Sequence, residues 1–371
     1  MRRPRSRIAI LSVLIVAVLI FLGVVYAWNA ATDIFKPAAD NGPAKNVSIT
    51  ITKGESTAEI ADDLQSKGLI RNALAFRIWA RIKGLDTTLQ AGVYKKLNSH
   101  MTISDIIDNL QNATPDATRV LIKEGLRLEE IAQDLANANP RIAKFNKDDF
   151  LKYTKHADQF PGASQSPILK ILPPGQNSME GLLFPSTYEI PVDADTTQVI
   201  NQMLKTMNDM VQQNKIEQLA QQHQMKLYDA ITLASIVERE AKASDDRTKI
   251  ASVYWNRLYS QEGKNETGGL MQADPTVQYA RDTQNPPSSY WLPLGDSPAN
   301  IAPNSLWNTY TQIGLPPTPI CSAGLASLLA ASKPAQTDYV YFFAGDDGQT
   351  HYAKTNAQFE QLKQQYGVRQ Q

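Results

Sequence analysis

The chain has 371 residues, with 37 Lys plus Arg against 37 Asp plus Glu, for a formal net charge of zero. That length accommodates roughly two compact domains, and the even balance lacks the basic excess of a nucleic-acid binder. A single cysteine, Cys321, excludes an intrachain disulfide and a Cys-based zinc site, and the four histidines are scattered, so no metal or cofactor is called for.

Arg2, Arg3, Arg5 and Arg7 lie in residues 1–7, followed by 21 residues without a charge, Ile8 to Trp28. A helix needs roughly 20 apolar residues to cross a bilayer, so a single transmembrane helix is expected over 8–28. The positive-inside bias then makes 1–7 a cytoplasmic tip and sends the rest of the chain outward. The membrane is thus an expected partner and the inner (cytoplasmic) membrane the expected location, with the bulk periplasmic or extracytoplasmic. The rival reading is a cleaved signal peptide ending near Val25-Tyr26-Ala27, against which the length of the apolar run argues.

Residues 29–45, rich in Ala, Asn, Asp and Pro, read as a tether. Val47, Ile49 and Ile51 alternate with polar residues and predict a strand, and Lys53-Gly54 a turn. Ser56 with Glu59 is a capping box that opens a helix through Ile60, Ala61 and Leu64, closed by Gly68. A second helix follows Asn72, expected to bury Leu74, Phe76, Ile78, Trp79 and Ile82. Strand, Gly, Glu-Ile-Ala and Leu recur 71 residues on, at Val120, Ile122, Gly125, Glu130-Ile131-Ala132 and Leu135. This phrase resembles the start of a LysM module, a small βααβ carbohydrate-binding fold, although two ordinary βα units would need the same apolar residues.

Phe150 to Asn177, with its Pro and Gly, reads as an ordered loop or joint. Helices are expected over Thr196–Gln224, from Leu227 to about Ala243 and from Arg247 to Ser260. Tyr339 to Ala344 predicts a buried strand, and Asp346-Asp347-Gly348 a hairpin turn toward His351-Tyr352. The sum is an α+β chain.

The helix from Leu227 carries a core stripe of Ala230, Leu233, Ala234, Val237 and Ala241. Glu238 falls on the border of that face, beside small neighbours. Glu240, two positions on, points roughly 200° away. Spacing alone leaves open a plain i,i+4 pair between Glu238 and Lys242, worth ~0.2–0.5 kcal/mol.

Several motifs in order carry a resemblance. They are Met179-Glu180-Gly181-Leu182-Leu183-Phe184-Pro185-Ser186-Thr187-Tyr188, Ala234-Ser235-Ile236-Val237-Glu238 and Leu270-Met271-Gln272-Ala273-Asp274-Pro275-Thr276-Val277. Asn308-Thr309-Tyr310 and Gly314-Leu315-Pro316-Pro317 follow. Together they resemble the MltG (YceG-like) family of endolytic murein transglycosylases. The departures are Ser186 for a usual Asp, Thr318 for a Gly, and Cys321-Ser322-Ala323-Gly324 for an Asn-Pro-Gly phrase.

After the tip at 1–7, the membrane helix at 8–28 and the tether at 29–45, the resemblance implies a LysM-like subdomain at 46–98 and a catalytic domain at 178–371, with a connecting βα region at 99–177. It implies cleavage of the MurNAc–GlcNAc bond in peptidoglycan glycan strands, leaving 1,6-anhydro ends, with penicillin-binding wall synthases as partners. Glu238 takes the place of the catalytic acid, protonating the leaving oxygen and then receiving the proton of the attacking 6-hydroxyl, so that one glutamate suffices.

Gln272, Asn308, Tyr310, Glu180 and Asp274 are the candidate substrate-binding residues. Gln272 offers an amide matched to an acetamido group, or else closes a loop. Asp274 before Pro275 reads equally as a turn or cap, and Glu180 as a helix cap. Trp255, Trp291 and Trp307 suit sugar stacking or the core. Two other readings stay open: a non-catalytic glycan-binding scaffold, and a muramidase-type hydrolase with Glu180 or Asp274 as its second carboxylate.

Overall fold

The computed structural model describes residues 17–19, 21–22, 33–39, 44, 46–51, 55–84, 92–110, 117–241, 246–295 and 297–368. The chain divides into two compact units, Met1–Asp116 and Ala117–Gln371.

In the first unit β1 (Asn46–Ile51) pairs antiparallel with β2 (Gly92–Asn98), from Asn46 opposite Asn98 to Ile51 opposite Gly92. Ile49 and Ile51 point into the core while Ser48 and Thr50 face out, the period-2 alternation read from the sequence. Between the strands lie α1 (Thr57–Ser66) and α2 (Ala73–Ile82), with α3 (Ile103–Leu110) after them. Both halves of the capping box form at α1. Ser56 N–H donates to Glu59 at 2.8 Å, and Glu59 N–H donates to Ser56 Oγ at 3.3 Å. Gly68 closes the helix in the left-handed region at φ 69°. The Lys53-Gly54 turn lies outside the described residues.

The burial expected for α2 is only partly right. Ala75, Phe76 and Ala80 are buried, whereas Leu74, Ile78 and Ile82 are exposed. The stripes 76/80 and 74/78/82 are offset by two residues, roughly 200° around a helix, so one stripe alone can face the core.

The expected membrane helix is corrected as well. No helix among the described residues is long and apolar enough to cross a membrane. Within 8–28 only residues 17–19 and 21–22 are described; they are helical, and five residues cover a small part of a ~30 Å hydrocarbon layer. The rest of that expectation lies outside the described residues. The single-pass inner-membrane placement, which rested on this helix, is unsupported with it.

The second unit carries two separate antiparallel pairs. β3 (Ala117–Leu121) lies against β4 (Thr187–Pro191), and β5 (Tyr341–Ala344) forms a hairpin with β6 (Thr350–Ala353) through a turn with Gly348 at φ 77°. α4 (Leu128–Ala136) follows β3, as the repeat predicts. The stretch from Phe150 is not all loop: α5 spans Lys147–Lys155, and three short 3₁₀ turns follow it. The helical run expected over 196–224 is two helices, α6 (Thr196–Gln213) and α7 (Ile216–Gln222), broken where Lys215 takes φ 53°.

The centre of this unit is α8 (Leu227–Glu240). It packs against α7, α9 (Arg247–Tyr259), α11 (Asp274–Gln284) and α12 (Leu325–Ser332). Every residue from Leu227 to Val237 except Asp229 is buried. The helix is therefore enclosed on all sides rather than along one stripe, because neighbours cover it from several directions. Burying Ile231, Leu233, Ile236 and Val237 contributes ~1.5–3 kcal/mol each. Two more helices of this unit are α10 (Gln261–Thr267) and α13 (Asn356–Tyr366).

Candidate active site

α8 emerges from this packing at Glu238, Arg239 and Glu240, all partly buried. Glu238 has an 8 % exposed side chain, accepts the Gly324 N–H at 3.0 Å and faces Arg247 Nη2 of α9 at 3.8 Å. The segment that delivers Gly324 is laid along α8. Ile320 N–H donates to Ser235 Oγ at 3.0 Å, and the Cys321 thiol donates to Ser235 O at 3.2 Å. Ser235 is thus a clamp for that segment, and its small side chain is what lets the chain approach.

One further crossing brings a third strand of chain to the site. Gly125 N–H donates to Ser322 O at 2.8 Å, and Ser322 N–H donates to Leu126 O at 2.9 Å. Gly125 sits at φ 79°, and a Cβ there would lie 3.1 Å from Arg239 Nη1. Both the conformation and the contact call for glycine. Its neighbour Glu124 is solvent-exposed and reaches the same Gly324, where a Cβ would lie 1.9 Å from Glu124 Oε1. Partial burial, then the charge of Glu238, push the Glu124 carboxyl up, and Arg247 opposes them.

Arg239 turns the other way. Its guanidinium lies 4.1 Å from the centre of the Trp291 ring, whose indole N–H donates to Glu130 at 3.2 Å. Trp291 itself holds φ 65°. Trp255 and Trp307 are tied to His223 O and Thr318 Oγ1 in the surrounding packing. Glu240 points away from Glu238, as its offset requires, and accepts the Tyr254 hydroxyl at 2.7 Å. The alternative partner of Glu238, Lys242, lies outside the described residues.

Four of the other candidates form a second group. Buried Arg257 donates from Nε to Val340 O at 2.7 Å and from Nη1 to Met271 O, anchoring the residue before Gln272. Gln272 holds φ 53°, and its N–H donates to Thr309 O at 3.1 Å. Asp274 opens α11, is exposed and accepts the Tyr310 hydroxyl at 2.6 Å. Burial and that carboxylate push the Tyr310 phenol up. Asn308 is fully buried; its amide N–H₂ donates to Ile301 O and Ala299 O, and its oxygen accepts Tyr310 N–H. Among the described residues no hydrogen bond or ion pair joins this group to Glu238.

Glu180 stands apart. It is 1 % exposed, and Oε2 accepts the Tyr279 hydroxyl at 3.2 Å and, at 3.5 Å, the N–H of Leu128, the first residue of α4. Burial and the nearby Glu129 push its carboxyl up to about 8 despite Arg127.

Glu124, Arg247 and Gly324 were not singled out as site residues in the sequence. A signal existed for the first: at the 71-residue offset of the repeat, Glu124 stands where the earlier copy has Lys53.

Fold and site define an α+β protein with a carboxylate at the mouth of an enclosed helix, held by a backbone donor and faced by an arginine and a second carboxylate. That is an arrangement for moving protons. The chain belongs to the YceG-like family, which matches residues 49–365.

It is similar to the endolytic murein transglycosylase of Bacillus subtilis, 33 % identical over 329 residues, covering 86 % of this chain and 84 % of that one. It is also similar to the endolytic murein transglycosylase of Streptococcus pneumoniae serotype 2, 26 % identical over 370 residues. That match covers 93 % of this chain but 62 % of the longer relative. A crystal structure of a YceG-like protein from Listeria monocytogenes superposes with a TM-score of 0.56 at 29 % identity, covering 86 % of this chain and 99 % of that one.

Proposed function

We propose that the chain is an endolytic transglycosylase of murein glycan strands and that Glu238 carries both proton transfers. Family membership and the Bacillus relative support the class of reaction. The observation that supports the residue is the placement of Glu238, nearly buried yet at the open end of α8.

Breaking the bond between C1 of N-acetylmuramic acid and O4 of the next sugar requires a proton on O4 as positive charge builds on the ring. Glu238 donates it. The 6-hydroxyl of the same sugar then closes on C1, and the Glu238 carboxylate receives its proton, leaving a 1,6-anhydro end. Between these transfers the side chain is anionic, and the Gly324 N–H and Arg247 are placed to stabilise that charge. The nucleophile is part of the substrate, so no water need be activated. Gln272, on a loop pinned by Arg257 and Thr309, is assigned to an acetamido group, and Tyr310 with Asp274 to sugar contacts beside it.

The β1–α1–α2–β2 order of the first unit favours a LysM-like, glycan-holding role for residues 46–98, and with it the rival reading of a non-catalytic scaffold. Mass spectrometry of glycan strands incubated with the full chain separates the readings. Anhydro ends are expected; reducing ends would indicate a hydrolase, and uncut strands a scaffold.

A further inference from the structure

The mechanism above uses one carboxyl group, yet two meet at Gly324. Glu238 takes the backbone N–H of that residue at 3.0 Å, while Glu124 occupies the space into which a side chain at 324 would project. The two come from elements far apart in sequence, and the crossing of Gly125 and Leu126 with Ser322 holds them in register. Among the described residues, Arg247 from α9 faces Glu238, while Arg239 from α8 and the buried thiol of Cys321 are the other titratable groups close by. Arg239 is engaged with the Gly125 carbonyl and the Trp291 ring. Arg247 is shared, since its Nε donates to Ser327 Oγ at 3.1 Å while Nη2 faces Glu238.

We propose that Glu124 is a positioning residue for the transglycosylase reaction, acting through Glu238 by its charge across Gly324. The inference rests on the assignment of Glu238 made above.

Two negative charges that meet at one residue disfavour each other, and a single arginine that is also bonded elsewhere does not neutralise both. The elevation of the Glu124 carboxyl by its partial burial and by Glu238 agrees with this. Glu238, with the N–H and the arginine at its oxygens, is suited to the negative charge of the intermediate stage. Glu124, exposed at the mouth, is the member of the pair open to solvent. In this role Glu124 does not attack the sugar, which keeps the product that of an intramolecular closure.

The test compares pH profiles of kcat/KM for release of anhydro ends by the wild-type chain and the Glu124→Gln variant. The neutral amide removes the like charge, so the alkaline fall should move to lower pH by about one unit. On that limb the variant-to-wild-type ratio should drop about tenfold. Glu124 is exposed, so the variant should fold, which circular dichroism checks.

A second reading does not depend on activity. With glutamate side-chain carboxyl carbons labelled, NMR titration should show Glu124 ionising at lower pH in Glu238→Gln than in the wild-type chain. Superimposable pH profiles, a Glu124→Gln variant inactive at every pH, or an unmoved Glu124 titration would each overturn the inference. If Glu238→Gln instead remains active, the assignment of Glu238 fails. That outcome is distinct, because the NMR shift still reports whether the two carboxyls are coupled.

Discussion

Glu238 and Glu180 are both glutamates withdrawn from solvent in the second unit, and they differ in what meets them. Glu180 is sealed: a helix N-terminus and a tyrosine hydroxyl converge on one oxygen, while the other oxygen has no hydrogen-bond partner among the described residues. Glu238 sits where α8 leaves the core, with a backbone donor, an arginine and a second carboxylate around it. Burial raises the sealed Glu180 carboxyl. Burial at an edge, as at Glu238, leaves a carboxyl within reach of a ligand. The first arrangement bears on the stability of the fold, and the second is the one the proposed chemistry needs.

The sharpest way to break this contrast is Glu238→Gln. Loss of a positioned general acid should lower release of anhydro ends by roughly 10²–10⁴-fold, with the thermal unfolding midpoint little changed. Retained activity in a folded variant, read by chromatography of the products, would remove Glu238 from the mechanism.

Glu180→Gln should behave in the opposite way. The folded-state carboxyl titrates at about 8 against 4.5 for the ordinary group. Between those values the folded state binds a proton that the unfolded chain has released. Stability from this group is therefore complete below pH 4.5 and falls as pH rises to about 8. Glutamine is neutral throughout. Denaturant unfolding from pH 5 to 8 should show the wild type losing a few kcal/mol that the variant keeps, while the variant still cleaves glycan.

Gln272 sharpens the functional side. Its backbone is left-handed at φ 53°, so Gln272→Gly truncates the side chain without adding strain, which alanine would. Losing one positioned hydrogen bond should cost about 1–3 kcal/mol in kcat/KM, roughly 5- to 150-fold, and product should still form. Full activity would leave the residue as a loop brace.

The smallest effect is expected for Gly324→Ala. The N–H to Glu238 remains, but the new Cβ must displace the Glu124 carboxylate. Its kcat/KM should fall several-fold, with an alkaline limb shifted in the same direction as in Glu124→Gln. An unshifted profile would mean that the two carboxyls do not communicate through that position.

Reading the chain alone went furthest where the determinants are local. The capping box of Ser56 and Glu59, the Gly68 stop and the Asp346–Gly348 hairpin turn depend on contacts within four residues, and each stands where the sequence places it. The helix carrying Glu238 was legible because its apolar residues recur, and the family because its motifs keep their order. The outward Leu74, Ile78 and Ile82 were not, because two apolar stripes competed for one core. The uncharged run at 8–28 matched the length of a membrane span, but length is a property of the sequence and a continuous helix is not; no such helix appears among the described residues.

The candidate site divides along the same line. The sequence by itself determined which glutamate sits at the border of a helix and that Glu240 points elsewhere, since helical geometry sets both. The tertiary structure alone decided that Glu180 is sealed, that Asn308 is turned to bracing carbonyls, and that Glu124 and Gly324 arrive beside Glu238 from 114 residues before it and 86 after it. Those encounters depend on how Ser235 and Ser322 lock three distant segments together. No local propensity encodes a contact of that range; it appears only when the packed helices leave one way for the chain to cross.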